Sequence, residues 1–242
     1  MINNILLFLV LLIPPSLVSG PFLPDLFVSL AGLLFLYKCF KDNSWSYFSN
    51  KYFIIFIFFY FYIVSRSIFS DNILLSLESS LFYFRYIFFC YAVVYLFEKK
   101  KNFYKFFFIS TSITLAVVFI DSSLQFFYGR NSLGYTIHIH DHYISGFFGE
   151  EKILGSFFIR LLPIFLFFYF LFFKDKFSSN IMLIIIFFLS LFIAIISGER
   201  SSVLLIILFY CCLVIFLNKM ILFKLSILFF IISMCSVILF LS

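Results

Sequence analysis

Charge is what this chain has least of. Only 12% of its 242 residues are Asp, Glu, Lys or Arg, against 64% hydrophobic residues, and the mean hydropathy is +1.18. A soluble domain is only about half apolar, so a soluble fold is excluded. Strict period-two alternation is missing from the apolar runs, which argues against a membrane β-barrel. The five cysteines, Cys39, Cys90, Cys211, Cys212 and Cys235, include no CxxC pair and have no histidine beside them. All fall within or at the ends of apolar runs, so they read as core or lipid-facing thiols rather than disulfides or metal ligands. There is no GK[ST] string and hence no Walker loop, and no repeat of fixed period. The opening MINNILLFLVLLIPPSLVSG lacks the basic segment of a signal peptide and reads as a retained first helix.

What is present is a series of apolar runs of membrane-spanning length. A hydrocarbon core of roughly 30 Å takes about 20 residues of helix, and in lipid the backbone must satisfy its own hydrogen bonds. The expected fold is therefore all-α, a polytopic transmembrane helical bundle forming a single domain over residues 1–242. Nine helices are expected, at 4–19, 22–39, 52–67, 73–97, 103–120, 153–173, 181–197, 201–217 and 222–241. Pro14-Pro15 should kink the first, and Gly20, Pro21 and Pro24 mark the turn into the second. The 44 phenylalanines are interchangeable lipid-facing residues and carry no function of their own. Only residues 121–152 form a long connection.

Orientation follows from lysine and arginine in short loops. Lys38, Lys41 and Lys51, then Lys99, Lys100, Lys101 and Lys105, then Lys174 and Lys176, then Lys219 and Lys224 follow alternate helices and so share one side. They are eleven of the 17 basic residues, which makes that side the cytoplasm, puts the N-terminus inside and the C-terminus outside, and turns the 121–152 loop outward. The remaining six are Arg66, Arg85, Arg130, Lys152, Arg160 and Arg200. Every arginine is among them. The positive-inside rule does not distinguish lysine from arginine, whereas a planar guanidinium binds carboxylate or phosphate in a bidentate fork. The outer face therefore reads as an anion-binding face.

Arg160 is expected about 12 Å below the outer end of the sixth helix, where an ionisable residue usually faces the protein interior and marks function. The plainer reading is a side chain that snorkels to the headgroups or pairs with Glu150 or Glu151. Ser197-Gly198-Glu199-Arg200 is a tight outer turn that puts Arg200 at a helix start, where free N–H groups also favour anions; the plainer reading is a local Glu199 to Arg200 contact. Glu78 and Arg85 are seven residues apart near one face of the fourth helix, as either a structural or a functional charge pair. Arg66 reads as an interface anchor and Arg130 as a solvated loop residue. His138, His140 and His142 alternate around Asp141, but the spacing fits no common zinc motif, and no metal or other cofactor is expected. Gly146, Gly149 and Gly155 allow a close turn before the sixth helix.

SGFFGEEKILGSFFIRLLP, with ISGERSSVLLIIL some forty residues later and SLFYFRYIFF in the fourth helix, resembles the O-antigen ligase and polymerase superfamily of bacterial inner-membrane proteins. The likeness covers the middle and end of the chain; the first three helices match in hydropathy only. It implies about a dozen helices and a periplasmic site where arginines hold the diphosphate of an undecaprenyl-linked glycan, with Arg160 and Arg200 in those positions and Arg85, Glu78 and Glu199 in support. The implied reaction is metal-independent glycosyl transfer to lipid A-core or a growing polysaccharide. The implied partners are the lipid bilayer, the undecaprenyl-diphosphate donor and the glycan acceptor, and not nucleic acid. Relatives carry a further large periplasmic loop with a histidine that activates the acceptor. This sequence ends at Ser242, where that loop would begin, and the histidines at 138–142 lie in another loop. The catalytic residue is thus unassigned, and the chain alone is expected to bind donor without transferring glycan. Two other classes stay open: a transporter or flippase-like protein with Glu78, Arg85 and Arg160 along its pathway, and a non-catalytic membrane subunit.

Overall fold

The computed structural model describes residues 2–137, 143–172, 176–216 and 224, with the backbone alone for 176–180 and 216. Among them every regular element is helical: α1 (Ile2–Ser16), α2 (Phe22–Asp42), α3 (Lys51–Ile68), α4 (Ile73–Leu81), α5 (Arg85–Lys99), α6 (Phe103–Tyr128), α7 (Leu154–Phe172), α8 (Lys176–Ile196) and α9 (Arg200–Phe216). Six helical stretches are long and apolar enough to cross a membrane, and two shorter apolar ones span Ile181–Ile196 and Arg200–Ile215. The protein is an all-α polytopic membrane bundle. The ninth expected helix, at 222–241, falls outside the described residues.

The first helix runs through Pro14-Pro15 and closes as a 3-10 turn at Leu17–Ser19, in keeping with the expected span of 4–19. Two boundaries differ from the sequence expectation. The fourth span is interrupted by a 3-10 turn at Phe82–Phe84 between α4 and α5. The fifth does not end at residue 120: α6 continues to Tyr128, so Asp121 is inside a helix rather than at the start of a solvated loop.

The chain divides into two compact units, Met1–Ser110 and Thr111–Ser242. In the first, α1, α2 and α5 pack around Leu6, Val10, Ala31, Phe35, Tyr91, Tyr95 and Leu96. Lipid tails are as apolar as leucine, so helices associate in a membrane through close packing rather than hydrophobic transfer. Gly32 of α2 supplies it: a methyl group there would lie 3.2 Å from Phe88 Cβ and 3.4 Å from the Arg85 carbonyl. One end of this unit is tied by Tyr47 donating to Glu98 and Lys100 donating to Asn4. The helix ends and short connections at that end carry Lys38, Lys41, Lys51, Lys99, Lys100, Lys101 and Lys105. Reporter fusions at Asn102 and Lys176 are expected to read as cytoplasmic and one at His140 as periplasmic; a cytoplasmic reading at His140 would overturn the orientation.

In the second unit α7, α8 and α9 enclose Ile159, Leu162, Leu166, Leu183, Phe187, Leu191, Ile206 and Tyr210. The Phe187 and Tyr210 rings meet edge to face at 4.7 Å, the geometry that aromatic quadrupoles favour.

Candidate functional site

The site is built on the start of α7. Its first turn, Leu154-Gly155-Ser156, leaves backbone N–H groups with no partner inside the helix, and such groups attract an anion. Glu199 is that anion. Its Oε1 accepts from Gly155 N at 2.8 Å and its Oε2 from Ser156 N at 3.1 Å, and the residue is buried. Glu199 arrives there because α8 ends at Ile196 and the chain turns at Gly198, whose φ of +64° suits glycine. Gly155 is required for a different reason. A Cβ there would stand 2.6 Å from Ser197 Oγ and also collide with Ser202 Oγ. The absence of a side chain lets the three segments close on one another.

This pin gathers residues that are far apart in sequence. Arg200 is next to Glu199 and is the first residue of α9. Arg160 is one helical turn beyond Ser156, about 6 Å of rise, and stands about 9 Å from the start of α7 rather than 12 Å, because the helix begins at Leu154. Both arginines are exposed, and among the described residues neither side chain makes a hydrogen bond or an ion pair. Arg160 thus does not face the unit's interior, as the sequence alone suggests. It lies on the exposed stripe of α7 with Ile164, Phe167 and Leu171, and Arg200 begins the exposed stripe of α9 with Leu204 and Leu208. Neither plain pairing forms: Arg160 does not bind Glu150 or Glu151, and Glu199 faces α7 instead of Arg200.

The segment leading into α7 is held over the same turn. Ile144 N donates to Ile196 O at 3.0 Å, the Tyr143 hydroxyl donates to Glu150 O at 2.8 Å, and the Lys152 ammonium sits 5.1 Å from the centre of the Tyr143 ring. Lys152 Nζ would lie 3.3 Å from a methyl group at Gly198. A third cation therefore stands at this end of the unit, beside the turn that carries Arg200.

Sequence reasoning misses the polar cradle behind this segment. Asp121 and Gln125, on the last turns of α6, are 2% and 0% exposed. Asp121 accepts from Ser132 N at 2.9 Å, from Ser132 Oγ and from Asn131 Nδ2 at 3.2 Å. Asn131 Nδ2 also donates to Gly146 O at 2.7 Å, and its Oδ1 accepts from Tyr135 N at 2.7 Å. Gln125 accepts from Gly146 N at 2.7 Å and donates to Thr136 O at 3.1 Å. Buried polar groups are stable when satisfied in this way, so the cradle shapes the loop. Ser145 Oγ, fully buried, is its one unpartnered group among the described residues. The signal in the sequence is DSSLQ at helical spacing followed by the turn formers GRNSLG.

Glu78 and Arg85 do not pair. They line one open cleft of about 430 Å³, but the 3-10 turn at Phe82–Phe84 breaks the helical spacing between them. Arg85 donates instead to Asp25 of α2 at 2.8 Å. Among the described residues no three His, Cys, Asp or Glu side chains converge as a metal site; His138, His140 and His142 fall outside the described residues. Replacing all three histidines by alanine is expected to leave the zinc content of the purified protein unchanged, and stoichiometric zinc lost in that variant would contradict the reading. No family model, curated protein or solved structure matches the chain.

Proposed function

We propose that the protein is a bacterial inner-membrane glycosyltransferase of the O-antigen ligase type, with Arg160 and Arg200 holding the diphosphate of an undecaprenyl-linked glycan on the periplasmic face. The observation that carries the reading is the Glu199 pin, which brings two unpaired arginines to the same end of one helical unit with their guanidinium groups exposed. A diphosphate bearing two or more charges needs donors that stay protonated and fork onto two oxygens, which arginine does better than lysine.

In the proposed reaction an acceptor hydroxyl oxygen bonds to the anomeric carbon of the glycan. The bond from that carbon to the diphosphate oxygen breaks, and the lipid diphosphate leaves with the electron pair while the acceptor proton is released. Negative charge grows on the leaving group as the bond breaks, so guanidinium groups fixed beside it stabilise the transition state more than the bound donor. Glu199 acts here through position. It holds α7 and α9 in place and neutralises neither arginine. Glu78 is left without a partner role in this scheme, and Arg85 is committed to Asp25.

The test is binding of polyprenyl-diphosphate glycan to the purified chain, comparing Arg160→Lys and Arg200→Lys with Arg130→Lys. Arg130 is an exposed loop residue whose backbone forms an isolated bridge with Thr136. Loss of affinity at the first two positions and not at the third supports the reading; equal affinity for all three variants and the wild type refutes it.

A further inference from the structure

From the lysine-bearing end of the first unit, an open cavity of about 930 Å³ runs between the α2–α3 connection and the face of α5 that carries Ile87, Tyr91, Val94 and Glu98. Its size is that of a small-molecule site. Ile87 and Val94 give it an apolar wall, and Tyr47, Tyr91, Glu98 and Lys99 give it a polar one. Its Glu98–Lys99 end lies at the end of a helical stretch, Ile73–Lys99, long enough to span a bilayer, where hydrocarbon gives way to headgroups, and its Ile87 end lies about 18 Å further along the span.

The same end already shows how an ammonium is held. Lys38 Nζ sits 5.1 Å from the centre of the Tyr95 ring and 2.9 Å from Asp42 Oδ2, a carboxylate and an aromatic face gripping one cation. The cavity lining brings the same side-chain types together, the Glu98 carboxylate with Tyr47 and Tyr91, and among the described residues no cation pairs with Glu98. The Tyr47 hydroxyl donates to Glu98 Oε2 at 2.6 Å. Burial, with the Glu98 carboxylate beside it, pushes the Tyr47 phenol well above its ordinary range, so the phenol stays protonated and fixes the carboxylate in place. Tyr91 is 6% exposed, and its hydroxyl, closed off from bulk water, has no hydrogen-bond partner. Buried tyrosine hydroxyls ordinarily find one.

We propose that this cavity binds the headgroup of an aminophospholipid, with the ammonium at Glu98 among the tyrosines, the phosphate at Lys99, and the glycerol end of the lipid along Ile87 and Val94. A zwitterion suits the site better than a simple cation or anion, because a carboxylate and an ammonium stand on consecutive residues of one helix end. It also fits a place in the bilayer where such lipids are the surrounding solvent.

The chain carries its own reporter. Trp45 is its single tryptophan; it belongs to the 3-10 turn Trp45–Phe48 that walls the cavity and lies 5.8 Å from the Phe48 ring. With the full chain in phosphatidylglycerol nanodiscs, short-chain phosphatidylethanolamine is expected to change Trp45 fluorescence saturably. It should bind about tenfold tighter than phosphatidylcholine or phosphatidylglycerol of the same chain length, since of the three only ethanolamine brings a charged N–H donor to the carboxylate: choline has the charge without the N–H, and glycerol has neutral hydroxyls. Glu98→Gln should lower that affinity about tenfold and Tyr91→Phe by a smaller factor, with circular dichroism unchanged. Lys99→Met, at an exposed position, should weaken the lipid and free phosphoethanolamine alike, with circular dichroism again unchanged. Equal binding of the three lipids, or no effect of either Glu98→Gln or Lys99→Met, would overturn the proposal. Free phosphoethanolamine should bind more weakly than the lipid; equal affinity would overturn the lipid as the source of the headgroup.

Discussion

Gly155→Ala is expected to destabilise the second unit by about 3 kcal/mol or more, through overpacking and loss of the Glu199 contacts. The new methyl would enter a space already filled by Ser197 Oγ and Ser202 Oγ, with Ser202 Cβ at 2.8 Å. Neither serine can swing away without cost, because Ser197 Oγ donates to Ala194 O and Ser202 Oγ to Glu199 O, each at 2.8 Å, and both residues are buried. Overpacking of this kind costs roughly 1–3 kcal/mol. Relief by moving α7 outward would stretch the two charge-assisted bonds to Glu199, each worth roughly 1.5–3 kcal/mol. Gly155→Val should be worse, since its branches point into the same serines. The check is the thermal midpoint in detergent, followed in the second unit by protease resistance. Ser202→Ala alone should be mild and should partly rescue Gly155→Ala, because it removes the atom in closest conflict; a double-mutant cycle isolates that coupling. A Gly155→Ala protein with the wild-type midpoint would show that α7 and the Ser197–Arg200 turn do not close on one another.

What the sequence makes legible here is what depends on local physics. Long apolar runs must be helices in lipid, so the spans are readable, and their ends are marked by lysines and by Gly and Pro. Three of the misreadings share one cause, which is a polar side chain whose partner is not its neighbour in sequence. Asp121 reads as the exit from the membrane because a carboxylate in an apolar helix is costly, yet Asn131 and Ser132 fold back to satisfy it, so the helix continues to Tyr128. Arg85 reads as a neighbour of Glu78 at helical spacing, yet three residues of 3-10 helix break that spacing and its partner is Asp25, sixty residues away. Glu199 reads as a neighbour of Arg200 and in fact reaches back to Gly155 and Ser156. The distribution of the arginines suggests outward-facing anion binders, a reading that the donor-binding variants below test, whereas the pin that brings Arg160 and Arg200 to one end requires the fold. The exposure of Arg160 could not be read either. Its neighbours Ile159 and Leu161 are both buried, and in an all-apolar helix no amphipathic pattern tells the lipid face from the packed one.

Because the pin and the arginines are separable, donor binding can be tested at both levels. Arg160→Lys and Arg200→Lys keep the net charge but remove the fork, and each is expected to weaken polyprenyl-diphosphate binding by about tenfold, near 1.4 kcal/mol. The double variant should lose about a hundredfold if the two guanidinium groups contact different oxygens and act independently. Arg130→Lys should change little. Glu199→Gln leaves both arginines untouched but replaces one carboxylate oxygen by an N–H₂ group, which cannot accept from the Gly155 or Ser156 N–H. It should therefore loosen the start of α7 and weaken donor binding without altering the preference for diphosphate over monophosphate. A merely structural Glu199 in an unrelated place would lower the thermal midpoint and leave affinity alone in the folded fraction. If instead Arg160→Lys binds donor as well as wild type while Arg200→Lys does not, the guanidinium of Arg160 belongs to the headgroup interface, as its place on the exposed stripe of α7 with Ile164, Phe167 and Leu171 permits. Insensitivity of donor binding to Arg160→Lys, Arg200→Lys and Glu199→Gln together would remove the anion site altogether and leave Glu199 as a helix cap.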